Sequence, residues 1–281
     1  MMLIDAHQHF WHYNPKEYGW ISDRMEKLKR DFLPADLIPE LQAMKFEGTI
    51  AVQARQSLEE TRWLLTLADE NNFIKGVVGW VDLCSEEAED QLKEFSANSK
   101  FVGVRHVVHD EPDDRFMARK DFRRGISSLQ KYSLTYDLLI FPKHLPLAME
   151  LVKEFPDQPF VLDHIAKPDI KGQRREPWAS GIRKLAQLPN VYCKLSGMVT
   201  EADWKSWKKD DFRFYLHTVL DCFGPDRLMT GSDWPVCTLG GSYQVILAIV
   251  TDFLKEFDLT DRQKILGANC LNFYKQRESI K

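Results

Sequence analysis

The segment LIDAHQH, residues 3–9, begins the chain with a short apolar run that ends in two histidines one residue apart. Alternate side chains of a β-strand point to the same face, so His7 and His9 are predicted to lie on the same face of the first strand. At the mouth of a barrel such a pair can place two imidazoles on one metal ion. Packed or surface histidines would give the same short motif. Asp5 is expected on the same face, either orienting a ligand or as a buried, hydrogen-bonded carboxylate.

Seven further apolar runs follow, and helix-like stretches lie between them. The eight predicted strands are Leu3–Ala6, Thr49–Gln53, Lys75–Val81, Phe101–Val107, Ser133–Ile140, Pro159–Leu162, Asn190–Leu195 and Arg227–Thr230. Alternating strands and helices indicate βα units and a parallel sheet. Eight such units favour a distorted (β/α)8 TIM barrel of the α/β class over an open doubly wound sheet. We expect a single domain over residues 1–281.

Composition excludes several classes of protein. The 281 residues are 44% hydrophobic and 28% charged, which is ordinary for a globular protein. With 38 basic against 42 acidic residues, the net charge of −4 argues against a nucleic-acid partner. No 18-residue apolar run and no signal-peptide pattern are present, so we expect no membrane partner. Five scattered cysteines without a CxxC pair favour reduced thiols and a cytoplasmic location. A homo-oligomer is possible.

Two more chemically capable residues follow strands late in the chain. His164 comes after the sixth predicted strand and is a candidate metal ligand or acid–base group. Its neighbour Asp163 would point to the opposite face unless the strand ends there. Asp233 follows the eighth strand after a glycine and could ligate a metal and take a proton from water. In a parallel barrel these strand ends converge on one mouth.

The ordered motifs DAHQH (5–9), VLDHIAKP (161–168) and LMTGSDWPV (228–236) resemble those of the amidohydrolase superfamily. The resemblance spans nearly the whole chain. More specifically, the motifs resemble those of the sugar-lactone hydrolase branch, which includes L-fuconolactonase and L-rhamnonolactonase. Further shared runs are AVQARQSLEET, GVVGWVDL, GVRH, YDLLIFPKHL and VYCKLSGM.

The resemblance implies roles for individual residues. It assigns a divalent metal, most simply zinc, to His7, His9 and Asp233. It makes Asp233 the general base that activates water and His164 a second catalytic residue. Families with two metals carry a Lys or Glu after strand four and a His after strand five, and neither is evident here. We therefore expect at most one ion. That ion is itself dispensable if the histidines and Arg105 supply the positive field.

Five residues are predicted to bind the substrate, a small sugar-derived lactone. They are Gln53, Arg105, Trp11, Trp20 and Tyr136. Arg105, after strand four, can fork onto an oxygen or form a plain salt bridge. The aromatic loop of residues 10–33 begins at the expected active mouth and could cover the apolar faces of a sugar ring. Packing of those aromatics against the barrel is the alternative interpretation.

Three functions compete at this level. The first is a hydrolase that opens an aldonolactone to its hydroxy acid, acting on a carboxylic ester bond. The second is another amidohydrolase-type reaction, such as metal-dependent decarboxylation of an aromatic acid. The third is a barrel that binds a ligand without catalysis, which would not require Asp233.

Overall fold

A computed structural model of the protein describes residues 2–274, and its centre is a barrel of eight parallel strands in sequential order. The strands are β1 (Ile4–Gln8), β2 (Gly48–Val52), β3 (Ile74–Gly79), β4 (Phe101–His106), β5 (Thr135–Leu138), β6 (Phe160–Leu162), β7 (Val191–Leu195) and β8 (Leu228–Thr230). Nearly every strand residue is buried, as expected for a parallel sheet covered on both faces. The predicted (β/α)8 architecture is confirmed.

The barrel closes where the ends of β1 and β8 meet. The backbone N–H of Asp233 donates to the His7 carbonyl at 2.8 Å, and that of His9 donates to the Trp234 carbonyl at 2.7 Å. These two bonds continue the ladder just beyond the last residues of β8. Closure therefore places the segment after β8 directly beside the HxH motif.

Helices surround the barrel and cover its outer face. They are α1 (Pro34–Met44), α2 (Leu58–Glu70), α3 (Ala88–Ser96), α4 (Lys120–Leu129), α5 (Leu145–Glu154), α6 (Trp178–Leu185), α7 (Asp210–Phe223), α8 (Tyr243–Phe253), α9 (Leu259–Gln263) and α10 (Asn269–Phe273). Their apolar faces and the outward strand residues form one large cluster, which also includes aromatics of the 10–33 loop. Within the described chain, every helix is too short or too polar to span a bilayer.

A second, smaller apolar cluster fills the interior of the barrel. It combines inward residues such as Ile4, Val52 and Met229 with Cys270 and Tyr274 from the C-terminal segment. This segment therefore closes the amino-terminal end of the barrel, and the polar site occupies the opposite end. The domain predicted over residues 1–281 includes residue 1 and residues 275–281, which lie outside the described residues.

Candidate active site

His7, His9 and Asp233 meet at the carboxyl ends of the strands. The Nε2 atoms of the two histidines are 3.2 Å apart. Asp233 Oδ1 lies 3.3 Å from His9 Nε2 and 3.9 Å from His7 Nε2. All three side chains are buried. The structure thus joins the motif that follows the first strand to the aspartate that follows the last.

A β-bulge in β1 aims both histidines at this point. From Asp5 to Gln8 β1 advances three residues, whereas its partner β2 advances two. The extra residue shifts the alternation of side chains along the strand. Ala6 belongs to the interior cluster, and His7 after it also faces inward, whereas Asp5 points out of the barrel.

Asp5 clamps the segment that carries Asp233. Its Oδ1 accepts the backbone N–H of Ser232 at 2.8 Å, and its Oδ2 accepts the Ser232 hydroxyl at 2.6 Å and the Tyr243 hydroxyl at 3.0 Å. Burial raises the pKa of Asp5 to about 6, although these hydrogen bonds lower it in part. The expectation that Asp5 shares a face with His7 is wrong because of the bulge. Its interpretation as a buried, hydrogen-bonded carboxylate is confirmed.

A left-handed turn after β6 brings Asp163 and His164 to the same side. The strand ends at Leu162, and residues 164–167 have φ of +53°, +49°, +61° and +49°. Consecutive positive φ values cost conformational free energy for residues with a Cβ, and the cost is larger for the β-branched Ile165. The Trp178 indole N–H stabilises the turn by donating to the Ile165 carbonyl at 2.6 Å. Because the strand has ended, both Asp163 and His164 reach the barrel mouth.

His164 faces Asp233 across the mouth. Its Nε2 lies 3.9 Å from Asp233 Oδ1, and its Nδ1 lies 2.9 Å from the Ser196 hydroxyl. Burial holds the pKa of His164 well below its ordinary value, so the imidazole is neutral near pH 7. Burial also acts to raise the pKa of Asp233, but His164 and His9 outweigh it and the pKa lies below 3.8. Asp233 is therefore a carboxylate at neutral pH.

Arg105 brings a fixed positive charge to the same group. Its guanidinium lies 3.2 Å from His7 Nε2 and donates to Asp163 Oδ2 at 3.1 Å. It also donates to the Gln53 carbonyl. The Arg105 Nε–H has no partner within residues 2–274. Of the two predicted roles of Arg105, the salt bridge is the one that the structure shows.

A fully buried lysine lies below this layer. Lys194 Nζ is 2.5 Å from Asp137 Oδ2, 3.0 Å from Asp163 Oδ1 and 3.2 Å from His7 Nδ1. Asp137 also accepts the Tyr274 hydroxyl at 2.8 Å. Burial acts to lower the pKa of Lys194, but the two carboxylates outweigh it and raise the pKa. This ionic layer links His7 to the C-terminal segment.

The donor atoms fit a single divalent metal. Atoms of His7, His164 and Asp233 lie within 4.8 Å of one another, and they form the one such group found within residues 2–274. His9 Nε2 contacts His7 and Asp233 at 3.2 and 3.3 Å. Ligands at about 2.1 Å around a tetrahedral zinc lie about 3.4 Å apart, close to these separations. His164 therefore joins the predicted ligands His7 and Asp233 in this group, whereas the predicted ligand His9 lies beside it and is not a member. Arg105 already lies against His7 Nε2.

A cavity of about 630 Å³ opens over these groups. Its lining includes the predicted site residues His9, Arg105, His164, Asp233 and Trp20. That volume suits a small molecule of sugar-lactone size. Three predicted substrate-binding residues, Trp11, Gln53 and Tyr136, do not line it.

Trp11 packs the loop instead of facing the cavity. Its side chain is fully buried between Tyr18, Trp20 and Phe32, and its indole N–H donates to the Arg30 carbonyl at 2.9 Å. The predicted substrate contact of Trp11 is therefore wrong, and the alternative packing interpretation applies. The chain folds back at this point, because Trp11 and Phe32 exchange backbone hydrogen bonds.

Tyr136 and Gln53 are also displaced from their predicted roles. Tyr136 is fully buried and packs against Phe122 and Phe160, because its neighbour Asp137 takes the inward position on β5. Gln53 is fully buried, and its carbonyl accepts from the Arg105 guanidinium. The expected substrate contact is wrong for Tyr136, and Gln53 supports Arg105 instead.

We expect Trp20→Ala to lower kcat/KM roughly 10-fold on a sugar lactone, with little change on an unsubstituted lactone. Trp20 lines the cavity, so its ring can cover an apolar face of a sugar ring. Trp11→Phe is the matched control. It should lower stability by about 2–3 kcal/mol through loss of one hydrogen bond and part of a buried ring, and leave the ratio of the two rates unchanged. Equal losses on both substrates for Trp20→Ala would contradict this role.

Several cavity residues were not predicted from the sequence. They are Glu17, Arg55, His109, Glu111, Lys167, Glu201 and Trp204. Two ion pairs lie among them, Arg55 with Glu17 at 2.9 Å and Lys167 with Glu201 at 2.5 Å. Each pair joins two separate loops, so no local pattern indicates it. Lys167, three residues after His164, and Arg55, within the run AVQARQSLEET, lay in quoted motifs.

The sequence matches the Amidohydrolase family over residues 4–276, and the chain belongs to this family. It is 39% identical to an L-fucono-1,5-lactonase of Burkholderia multivorans over 97% of this chain and 96% of that protein. An L-fucono-1,5-lactonase of Burkholderia ambifaria is 37% identical over 97% of this chain and 95% of its own length. A crystal structure of a Burkholderia multivorans amidohydrolase with bound zinc superposes with a TM-score of 0.93. That protein is 38% identical, and the match covers 99% of this chain and all of the other.

Proposed function

We propose that this protein is a hydrolase that opens a sugar-derived lactone to the corresponding hydroxy acid. The observation that carries the proposal is the ionised, buried Asp233, which borders a sugar-sized cavity between His9, His164 and Arg105. The similarity to two L-fucono-1,5-lactonases supports the same class of substrate. The five cysteines are free thiols, which fits the proposed cytoplasmic location.

Asp233 is the group that activates water in this proposal. A cyclic ester needs an attacking water, stabilisation of the oxyanion and a proton for the leaving alkoxide. Asp233 Oδ1 accepts the water proton as the new C–O bond forms. The same carboxylic acid then returns the proton to the ring oxygen when the ring C–O bond breaks. His164 and His9 lie on either side of the Asp233 carboxylate and hold it in place.

Arg105 supplies positive charge where the oxyanion develops. Its guanidinium is held by Asp163 and the Gln53 carbonyl, so its position is preorganised and needs little rearrangement during the reaction. A divalent ion held by His7, His164 and Asp233, with His9 beside them, would polarise the carbonyl and lower the pKa of water. Arg105 lies at the same His7 nitrogen, so part of that positive field is present without the ion.

The test is a screen of aldonolactones against the purified protein, with a pH indicator that reports the released acid. We expect turnover of at least one 1,5-lactone of a sugar acid. Adding dihydroxybenzoates to the screen tests the decarboxylase alternative, because decarboxylation consumes a proton and releases CO2. Turnover of a benzoate with none on any lactone would overturn the proposal.

Metal analysis should find no more than one divalent ion per chain, zinc when the protein is purified from zinc-containing medium. The reason is that one group of three mutually close ligands is found within residues 2–274, and β4 ends in Arg105 and His106, without the Lys or Glu that two-metal families carry there. Removal of the ion with a chelator should leave measurable turnover supported by Arg105. Two ions per chain, or complete and zinc-reversible loss of activity, would contradict this expectation.

A further inference from the structure

Three hydrogen-bonded side chains lead from the end of β3 to the wall of the cavity. The Trp80 indole N–H donates to His106 Nδ1 at 3.3 Å, and His106 Nε2 lies 2.6 Å from Glu111 Oε1. Glu111 lines the cavity with a side chain that is 23% exposed. None of the three takes part in the hydrolytic chemistry described above.

The positions of the protons in this chain follow from its chemistry. An indole nitrogen can only donate, so His106 Nδ1 is the acceptor. Burial lowers the pKa of His106, although Glu111 acts to raise it, so the ring is neutral near pH 7. Its single proton is then on Nε2 and is donated to Glu111. Trp80 thus fixes the tautomer of His106, and His106 fixes the carboxylate.

The His106 ring is also held in place by packing. It stacks on Phe116 with 4.5 Å between ring centroids and an angle of 15° between planes, and it meets the edge of Phe122 at 6.2 Å. The His106 side chain is 8% exposed. A rigid ring leaves Glu111 Oε1 little freedom once their short hydrogen bond has formed.

The cavity side of the carboxylate is available to a ligand. Glu111 forms an ion pair with no lysine or arginine within residues 2–274, in contrast to the cavity carboxylates Glu17 and Glu201. A carboxylate accepts hydrogen bonds only, and His106 occupies one of the two oxygens. The second oxygen can therefore accept from donors in the cavity, and hydroxyl groups are the donors that a sugar lactone carries.

Strand β4 fixes the distance between this acceptor and the reaction centre. Arg105 and His106 are consecutive, so their side chains leave the strand on opposite faces. Arg105 points into the barrel beside His7, and His106 points outward to the loop that returns Glu111 to the cavity. Strand β4 thus fixes the position of Arg105, which faces the developing oxyanion. Through His106 it also fixes the Glu111 carboxylate, which would meet the rest of the substrate.

We propose that Glu111, oriented by His106 and Trp80, accepts hydrogen bonds from ring hydroxyls and selects polyhydroxylated lactones over unsubstituted ones. This inference rests on the proposed lactone hydrolysis. Glu111 is the specificity-determining residue, and His106 and Trp80 are positioning residues. A charged hydrogen bond lost from the complex corresponds to roughly 10- to 100-fold in affinity.

The experiment measures kcat and KM of Glu111→Gln on a hexono-1,5-lactone and on δ-valerolactone. We expect KM for the sugar lactone to rise roughly 10- to 100-fold, with kcat/KM for δ-valerolactone within about 3-fold of wild type. Glu86→Gln, at an exposed carboxylate outside the cavity that pairs with Arg124, is the charge-matched control and should change neither. Equal changes on both substrates, or no change on either, would overturn the proposal.

Trp80→Phe tests the positioning role. It keeps the Glu111 carboxylate but removes the indole N–H that fixes His106. We expect a smaller rise in KM with the same substrate selectivity. The double variant Trp80→Phe/Glu111→Gln should be no worse than Glu111→Gln alone, because both act through one carboxylate. Additive losses would assign Trp80 to general stability and overturn its positioning role.

A binding measurement separates failure of this inference from failure of the proposed function. The probe is a 1,5-anhydrohexitol, which keeps the ring and its hydroxyls but has no carbonyl to hydrolyse. Calorimetry should show weaker binding to Glu111→Gln than to wild type, whether or not any lactone turns over. If wild type opens lactones and Glu111→Gln is unaffected in both assays, the inference fails while the proposed function stands. If wild type neither opens a lactone nor binds the probe, both fail.

Discussion

Asp233→Asn is expected to lower kcat at least ~10²-fold on every lactone that the wild-type protein opens. Asn has nearly the same shape, but its amide cannot take the proton from water. The backbone tolerates the change, since Asp233 has φ of +60° and Asn adopts this left-handed conformation as readily as Asp. The loss should therefore appear in turnover and not in folding.

Asp110→Asn provides the matched control for this substitution. Asp110 lines the same cavity but makes no contact with His7, and it should retain most of the activity. Circular dichroism and Tm of both variants check that the barrel is intact. A folded Asp233→Asn protein with near wild-type turnover would overturn the role of Asp233 and favour a barrel that binds without catalysis.

Lys194→Met should lower the free energy of unfolding by about 3–5 kcal/mol, the cost of breaking a buried ion pair from one side. Methionine matches the length of lysine but leaves Asp137 facing only the Tyr274 hydroxyl. The Asp163 carboxylate loses less stabilisation than Asp137, because Arg105 still donates a hydrogen bond to it. Urea denaturation measures the change. Lys131→Met, which removes an exposed partner of Glu89, is the control and should have little effect.

The destabilisation by Lys194→Met should depend on pH. Burial raises the pKa of Asp137 to about 6 in the wild-type protein, and Lys194 is the largest influence that lowers it. Without Lys194 that pKa rises further, so protonated Asp137 favours the folded state at low pH and this advantage is lost as pH rises. The deficit should be larger at pH 8 than at pH 5. Adding Asp137→Asn should recover much of it, and a deficit independent of pH would contradict this account.

The results expected for Asp233→Asn and Lys194→Met distinguish two layers of side chains at this end of the barrel. The upper layer, with Asp233, His9 and His164, borders the cavity and is expected to control turnover. The lower layer, with Lys194, Asp137 and Asp163, is fully buried and is expected to control stability. His7 belongs to both, since its Nε2 faces Asp233 and its Nδ1 faces Lys194. Changes at His7 should therefore affect turnover and stability together.

Local patterns along the chain are enough to predict the barrel and the main members of its site. Apolar runs that alternate with amphipathic helices are local patterns, and eight of them predict the eight strands observed. Parallel strands align their carboxyl ends, so His7, His9, His164 and Asp233 could be expected at one mouth before their distances were known. Boundaries were less accurate, since β5 is Thr135–Leu138 and not Ser133–Ile140, because an apolar run continues beyond the last ladder hydrogen bond.

The register of neighbouring strands and the pairing of side chains depend on contacts between distant parts of the chain. The bulge that turns His7 inward depends on β2, and the left-handed turn that presents His164 beside Asp163 depends on packing that outweighs local backbone preference. Trp11 and Trp20 are equivalent in a local aromatic pattern, yet the folded loop buries one and exposes the other to the cavity. The spacing of hydrophobic residues and the ends of strands can be predicted because they are properties of short segments. Register, burial of a given ring and ion pairs between distant strands arise only when the whole barrel closes.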